Sequence, residues 1–145
     1  MKIGIGNDHH GVEVKQNLTK YLTGLGYDIV DYGTDSSLNV DYTDYAFKVG
    51  EAVRDGNIDY GILLCNTGIG MSIAANKVKN VRCAKVNNEY EAMMTRRDND
   101  ANVIALSAKL DICELKKILD KFLNTDYMNI ERYNRRKEKI DNYDA

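Results

Sequence analysis

An uninterrupted apolar run, Gly61-Ile62-Leu63-Leu64-Cys65, lies between Asp59-Tyr60 and Asn66-Thr67. It shows no polar alternation, so it reads as a strand with both faces covered. Strands of that kind sit inside parallel sheets flanked by helices. The segments around it agree. Lys2–Gly6 and Tyr27–Asp31 read as strands. Val14, Leu18, Tyr21, Leu22 and Leu25 recur between them at helical spacing, with Gly26 as a stop. Tyr45, Ala46, Val49, Ala52 and Val53 mark a second helix, ended near Gly56. After the apolar run, a turn over Asn66–Gly70 leads into a helix around Ser72–Lys77. Val81–Val86 is a further strand, Glu89–Arg97 a helix and Asn102–Leu106 a fifth strand. Ile112, Leu115, Ile118, Leu119 and Phe122 form a last amphipathic helix.

This alternation predicts an α/β chain, a parallel sheet covered on both faces. With no linker, repeat or shift of composition, residues 1–145 read as one domain. A charged tail begins near Asn129; it has helical spacing but few apolar anchors. Ligands of such sheets gather beyond the carboxyl ends of the strands. That edge should hold Asp8-His9, Thr34, Cys65–Gly70, Asn87-Asn88 and Ser107–Lys109.

Composition removes several function classes. A net charge of −2 provides no field for nucleic acid or an anionic membrane surface. No apolar run approaches the roughly 20 residues of a membrane helix, and the chain enters the strand-like KIGIG without a basic-then-apolar leader. The three cysteines, Cys65, Cys83 and Cys113, are far apart and form no CxxC, which suggests neither a disulfide framework nor zinc. A reduced, cytoplasmic setting is expected.

The most informative chemistry lies in Cys65-Asn66-Thr67-Gly68-Ile69-Gly70. A cysteine ends a buried strand, and two glycines let backbone approach a ligand closely as the chain turns into a helix. Unpaired N–H groups at a helix start stabilise negative charge, on a sulfur or on a ligand oxyanion. The plain alternative is a structural cysteine before an ordinary glycine turn. Asp8-His9-His10 follows the first strand and suits a polar grip on hydroxyls or phosphate; adjacent histidines on one turn rarely face one point, which disfavours a metal. Arg132 and Arg136, four apart, fall on one side of a helix as a pair of phosphate donors would, against the alternative of a solvated basic face. Arg96-Arg97 beside Asp98 reads equally well as a surface charge cluster.

The segments IGNDHHGVEVK, DYGTDSS, VDYTDYA, DYGILLCNTGIGMSIAANKV, RRDNDANVIAL and ERYNRRKEKI resemble, in order, those of the ribose-5-phosphate isomerase B family, from Lys2 to Ile140. The resemblance implies a Rossmann-like, three-layer fold with a five-stranded parallel sheet. It also implies a homodimer, or a tetramer built from it, with active sites shared across the interface. By position it makes Cys65 the base for proton transfer through a cis-enediolate, without metal or organic cofactor. Thr67 would help to open the sugar ring, and backbone from Asn66 through Gly68 and Ile69 to Gly70 would hold the enediolate oxygen. Asp8 and Asn99 would bind sugar hydroxyls, Tyr42 would line the pocket, and His9, Arg132 and Arg136 would bind phosphate. Lys109 stands where the family usually has a substrate-contacting arginine.

Four departures accompany the resemblance. The family's CGTG is Cys65-Asn66-Thr67-Gly68, the proline of its VDYP is Thr43, and its GGRH is Ile130-Glu131-Arg132-Tyr133. The histidine that opens the furanose ring is Asp98, which would have to take over that catalytic step. Alternatives to ribose 5-phosphate isomerisation are an isomerase of a galactose, allose or tetrose phosphate, and a non-catalytic sugar-phosphate-binding subunit. A nucleotide-binding module is a weaker alternative, because no GxGxxG opens the first helix.

Overall fold

In a computed structural model that describes residues 1–143, the apolar run is β3 (Tyr60–Cys65), the middle strand of a five-stranded sheet. Asp144 and Ala145, the end of the expected tail, lie outside the described residues. β1 (Lys2–Asn7), β2 (Asp28–Asp31), β4 (Cys83–Lys85) and β5 (Val103–Ser107) complete the sheet in the order β2-β1-β3-β5-β4, and every pairing is parallel. The expected three-layer α/β architecture is what forms.

The two-sided burial of β3 follows from where the chain reverses. From β1 it passes through α1 (Val12–Gly24) outward to β2, then back through α2 (Tyr42–Arg54) to β3. It continues through α3 (Ile69–Ala75) to the far edge at β4, and returns through α4 (Glu89–Asn99) to β5 and α5 (Ile112–Asn124). Right-handed crossovers made in opposite directions lie on opposite faces. Ile62 and Leu64 therefore pack with Leu18 and Leu22 of α1 and with Leu115, Ile118, Leu119 and Phe122 of α5. Leu63 and Cys65 pack with Ala46 and Val49 of α2 and Met71, Ala74 and Ala75 of α3.

Several boundaries differ from the sequence reading. α3 begins at Ile69 instead of Ser72, because Gly68 takes a left-handed conformation (φ 80°) and turns the chain at once. α2 begins at Tyr42, a turn before its first apolar marker. β4 is shorter than Val81–Val86: the Val81 N–H closes a turn onto Val78 O, and the Arg82 N–H goes to Asn102 Oδ1. The tail does form a helix, α6 (Glu131–Asp141), and none of its residues is buried.

Candidate active site

The carboxyl ends of β1 and β3, neighbours in the sheet, bring the first group of candidates together. Asp8 leaves β1 with its N–H on Leu64 O at 3.2 Å. It caps the one-turn 3-10 helix His9–Gly11: its Oδ1 accepts the His10 N–H at 2.9 Å, and its Oδ2 pairs with His10 Nδ1 at 3.2 Å. The carboxylate is almost wholly buried, yet hydrogen-bonded as a buried charge must be. His9 Nδ1 accepts the Val40 N–H at 3.3 Å, which leaves Nε2 as the ring nitrogen free for a ligand. The two imidazoles lie with centroids 4.1 Å apart, and Asp8, His9 and His10 offer three ligand atoms within 4.8 Å of one another. The adjacent histidines thus converge more than their spacing suggested, with His10 Nδ1 engaged by Asp8 and His9 Nδ1 by the Val40 N–H.

At the end of β3, Cys65 is buried and its Sγ accepts the Gly68 N–H at 3.1 Å. Thr67 is exposed, and its Oγ1 accepts the Ile69 N–H at 3.1 Å. Of the backbone expected to face an oxyanion, the N–H groups of Gly68 and Ile69 are thus already committed. Those of Gly70 and Met71 lie in the first turn of α3 and have no acceptor inside that helix. Tyr42 crosses Gly70 so closely that a Cβ there would meet its ring at 2.7 Å. From β5, the Ser107 hydroxyl donates to Asn66 O at 2.7 Å and the Ala108 N–H to Cys65 O at 2.8 Å, fixing the loop from the side. Sequence reading put Ser107 on this edge but gave it no part; its β5 register, with Cys65 opposite Ser107, is what recruits it. Lys109, exposed, follows on the same edge.

Asp98, Asn99, Arg132 and Arg136 do not join this group. They line a cleft of about 230 Å³ between the end of α4 and α6. α4 runs back against the strands, so its last residues lie at the amino end of β5, whereas Cys65 is level with that strand's last residue, Ser107. Val103 and Ser107 are separated by roughly 13 Å along the strand. The sulfur and the arginine pair thus occupy opposite edges of the sheet. Among the described residues neither Arg132 nor Arg136 has a carboxylate within 4.0 Å, whereas Arg135 pairs with Glu131 at 2.9 Å. Arg97 Nε donates to Asp98 Oδ1 at 2.8 Å. That guanidinium, helped by the Tyr133 hydroxyl and Arg132 against a smaller opposing effect of burial, holds the Asp98 carboxyl below the usual carboxylate range.

Arg96 is not part of a surface cluster. It is buried, with its guanidinium over the rings of Tyr60 (4.8 Å) and Phe122 (5.7 Å). A larger groove between α4 and α5, about 710 Å³, contains none of the candidate residues. Cys83, which lines a small cleft together with Arg82 and Asn99, has its thiol pushed up to about 12 by burial and is chemically quiet. No helix among the described residues is long and apolar enough to cross a membrane.

Comparison with known proteins converges on one group. A family model described as ribose/galactose isomerase matches residues 3–140. Ribose-5-phosphate isomerase B of Escherichia coli (strain K12) is 41% identical over 127 residues, 87% of this chain and 85% of that protein. D-erythrulose-4-phosphate isomerase of Pectobacterium atrosepticum is 40% identical over 129 residues, 88% of this chain and 85% of that protein. The solved structure of ribose-5-phosphate isomerase B from Clostridium thermocellum superposes with a TM-score of 0.94 at 42% identity, covering 97% of this chain and 95% of that one.

Proposed function

We propose that this chain, which belongs to the ribose/galactose isomerase family and is an aldose–ketose isomerase, interconverts ribose 5-phosphate and ribulose 5-phosphate. The observation behind this reading is Cys65, a buried sulfur at the end of β3 beside the start of α3. Isomerisation removes the proton on C2, alpha to the C1 carbonyl, and returns it to C1. One base over both carbons suffices. The Cys65 thiolate takes the C2 proton, and the electron pair forms the C1=C2 bond with negative charge on O1. A proton passes from O2 to O1, and the cysteine then gives its proton to C1 as the C2 carbonyl forms. Donors from the start of α3, Gly70 and Met71, meet the developing oxyanion, the largest electrostatic contribution such a site makes.

Thr67 acts on the ring oxygen before the proton transfer, Asp8 binds hydroxyls, and Tyr42 closes the pocket over Gly70. His9 Nε2 reaches the phosphate. The cleft with Asp98, Asn99, Arg132 and Arg136 completes the site of a second protomer, since a sugar phosphate is too short to span both edges of one. A homodimer with shared sites follows.

A tetrose 4-phosphate is the second reading, and Asp98 favours it. A carboxyl held in the ionised form by Arg97 is a poor acid for ring opening, and a sugar whose O4 is esterified has no five-membered ring to open. Assay of the purified chain with ribose 5-phosphate, ribulose 5-phosphate and erythrose 4-phosphate tests both. In Cys65→Ala, kcat should fall by roughly 10²-fold or more with KM little changed. A near-normal kcat in that variant removes the cysteine from the mechanism.

A further inference from the structure

α6 carries Arg132 and Arg136 but has no buried residue to fix it in place. Its one large aliphatic side chain, Ile140, is 55% exposed. Besides hydrogen bonds from the Tyr127 hydroxyl to Asn134 Oδ1 at 2.7 Å and from the Tyr133 hydroxyl to Asp98, what attaches it is charge. Asp100, the residue after Asn99, accepts Lys137 Nζ at 2.9 Å on one side and Arg96 Nη1 at 2.8 Å on the other. Arg96 cannot yield: it is packed between Tyr60 and Phe122, also donates to Ala101 O at 2.7 Å, and has Asp100 as its carboxylate partner. One turn along α6, Asp141 takes both of its oxygens to Arg82 Nη1, at 2.9 and 3.1 Å. Arg82 in turn donates through Nε to the Asp100 carbonyl at 3.0 Å. Lys137 and Asp141 are four residues apart and share a side of the helix, so two ionic clamps meet at one residue of the body.

We infer that this cluster is a positioning device: Asp100, with Arg82 and Asp141, sets the distance and angle at which Arg132 and Arg136 face Asn99 across the cleft. The inference rests on the reading of those two arginines as phosphate ligands. Asp100 suits the task because it occupies a left-handed position (φ 51°, ψ 44°) that ends α4 directly after Asn99. One residue thereby fixes the backbone of Asn99 and the approach of α6. Burial pushes the Asp100 carboxyl up, but the Lys137 and Arg96 hydrogen bonds more than offset that and leave it below the usual range. The clamp is therefore charged wherever the protein is folded near neutrality.

Asp100→Asn distinguishes positioning from a simple field effect, because the two predict opposite signs. Asparagine tolerates the left-handed conformation, so the substitution removes charge with little backbone cost. Losing a carboxylate beside a cationic cleft makes the local potential more positive and, by field alone, tightens phosphate binding. If Asp100 positions the arginines, binding weakens instead. KM for the sugar phosphate and the inhibition constant of inorganic phosphate should both rise roughly fivefold or more, with kcat kept, as expected when ground-state and transition-state binding are lost equally. Asp141→Asn, distant from the buried Arg96, should shift the same two constants in the same direction and serves if Asp100→Asn does not fold. Amide exchange over residues 131–141 should accelerate in both. Arg136→Ala, expected to lose roughly tenfold or more in phosphate affinity, tests the underlying reading. If it is silent, that reading fails and the inference with it. If it is effective while both carboxylate variants leave KM unchanged or lowered, the inference alone is overturned.

Discussion

Replacing Gly68 by alanine should damage the fold and the sulfur environment together, by an amount the structure lets one partition. Gly68 has φ 80°, and a Cβ there would lie 3.0, 3.1 and 3.2 Å from the carbonyl carbon, nitrogen and oxygen of Leu106. These are backbone atoms of β5, held between β3 and β4, so they cannot rotate aside. Gly56 supplies the control: its φ is 76°, yet nothing lies within 4 Å of its would-be Cβ. Gly56→Ala pays only the left-handed penalty, about 1–2 kcal/mol, reduced by up to about 1 kcal/mol through the stiffer unfolded chain. Gly68→Ala adds overpacking of about 1–3 kcal/mol, for a total of roughly 2–4 kcal/mol. At roughly 3 °C per kcal/mol for a domain of this size, thermal unfolding followed by circular dichroism should fall by roughly 6–12 °C for Gly68→Ala. The fall for Gly56→Ala should be roughly a third of that. Because the Gly68 N–H donates to Cys65 Sγ, alkylation of the cysteine should also change rate in Gly68→Ala and not in Gly56→Ala. Equal losses of melting temperature in the two variants would refute the close-approach argument and leave only the backbone conformation.

Two further outcomes are expected. Asp98→His places a group that titrates near neutrality where an ionised carboxylate now sits. It should raise kcat/KM for ribose 5-phosphate relative to ribulose 5-phosphate; an unchanged or lowered ratio means that ring opening does not depend on this position. Lys15 is 2% exposed, and its ammonium meets Asp35 at 2.6 Å, Asp31 at 3.0 Å and Thr34 O at 2.9 Å. Burial pushes it down, but the Asp35 and Asp31 bonds more than offset that and hold it above the ordinary lysine value. A folded-state value raised above the unfolded one gives stability that is complete below about pH 10.4 and is lost as pH rises through the folded value. The urea midpoint gap between wild type and Lys15→Met should therefore be constant from pH 7 to 10 and narrow above it. A gap independent of pH up to 11.5 would mean that the charge contributes nothing.

Much of the molecule is determined locally and could be read without coordinates. β3 betrays itself because burial on both faces leaves no polar position in Gly61–Cys65. The helices declare their inward faces by period, and the α/β alternation with short connections leaves little choice but a parallel sheet. The grouping of Asp8-His9 with Cys65–Gly70 follows in turn, since both leave the carboxyl ends of strands. Segment likeness extended that reading to Tyr42, Asn99, Arg132 and Arg136.

Tertiary structure alone decided the remainder. That Asp98 and Asn99 face away from Cys65 depends on α4 running back across the sheet, and residue type records nothing of a direction. Arg96 next to Arg97 looks like paired surface charge, yet one packs between aromatic rings from β3 and α5 while the other reaches Asp98. Identical side chains one position apart differ because a helix turns by about 100° per residue, and only the partner elements decide which direction is the core. The tail shows the same limit. Its sequence has too few apolar residues to announce a docked helix, because hydrophobic period is the signal that sequence transmits and ion pairs leave none. Asp100, Arg82 and Asp141 are spread over 60 residues, and folding alone makes them neighbours.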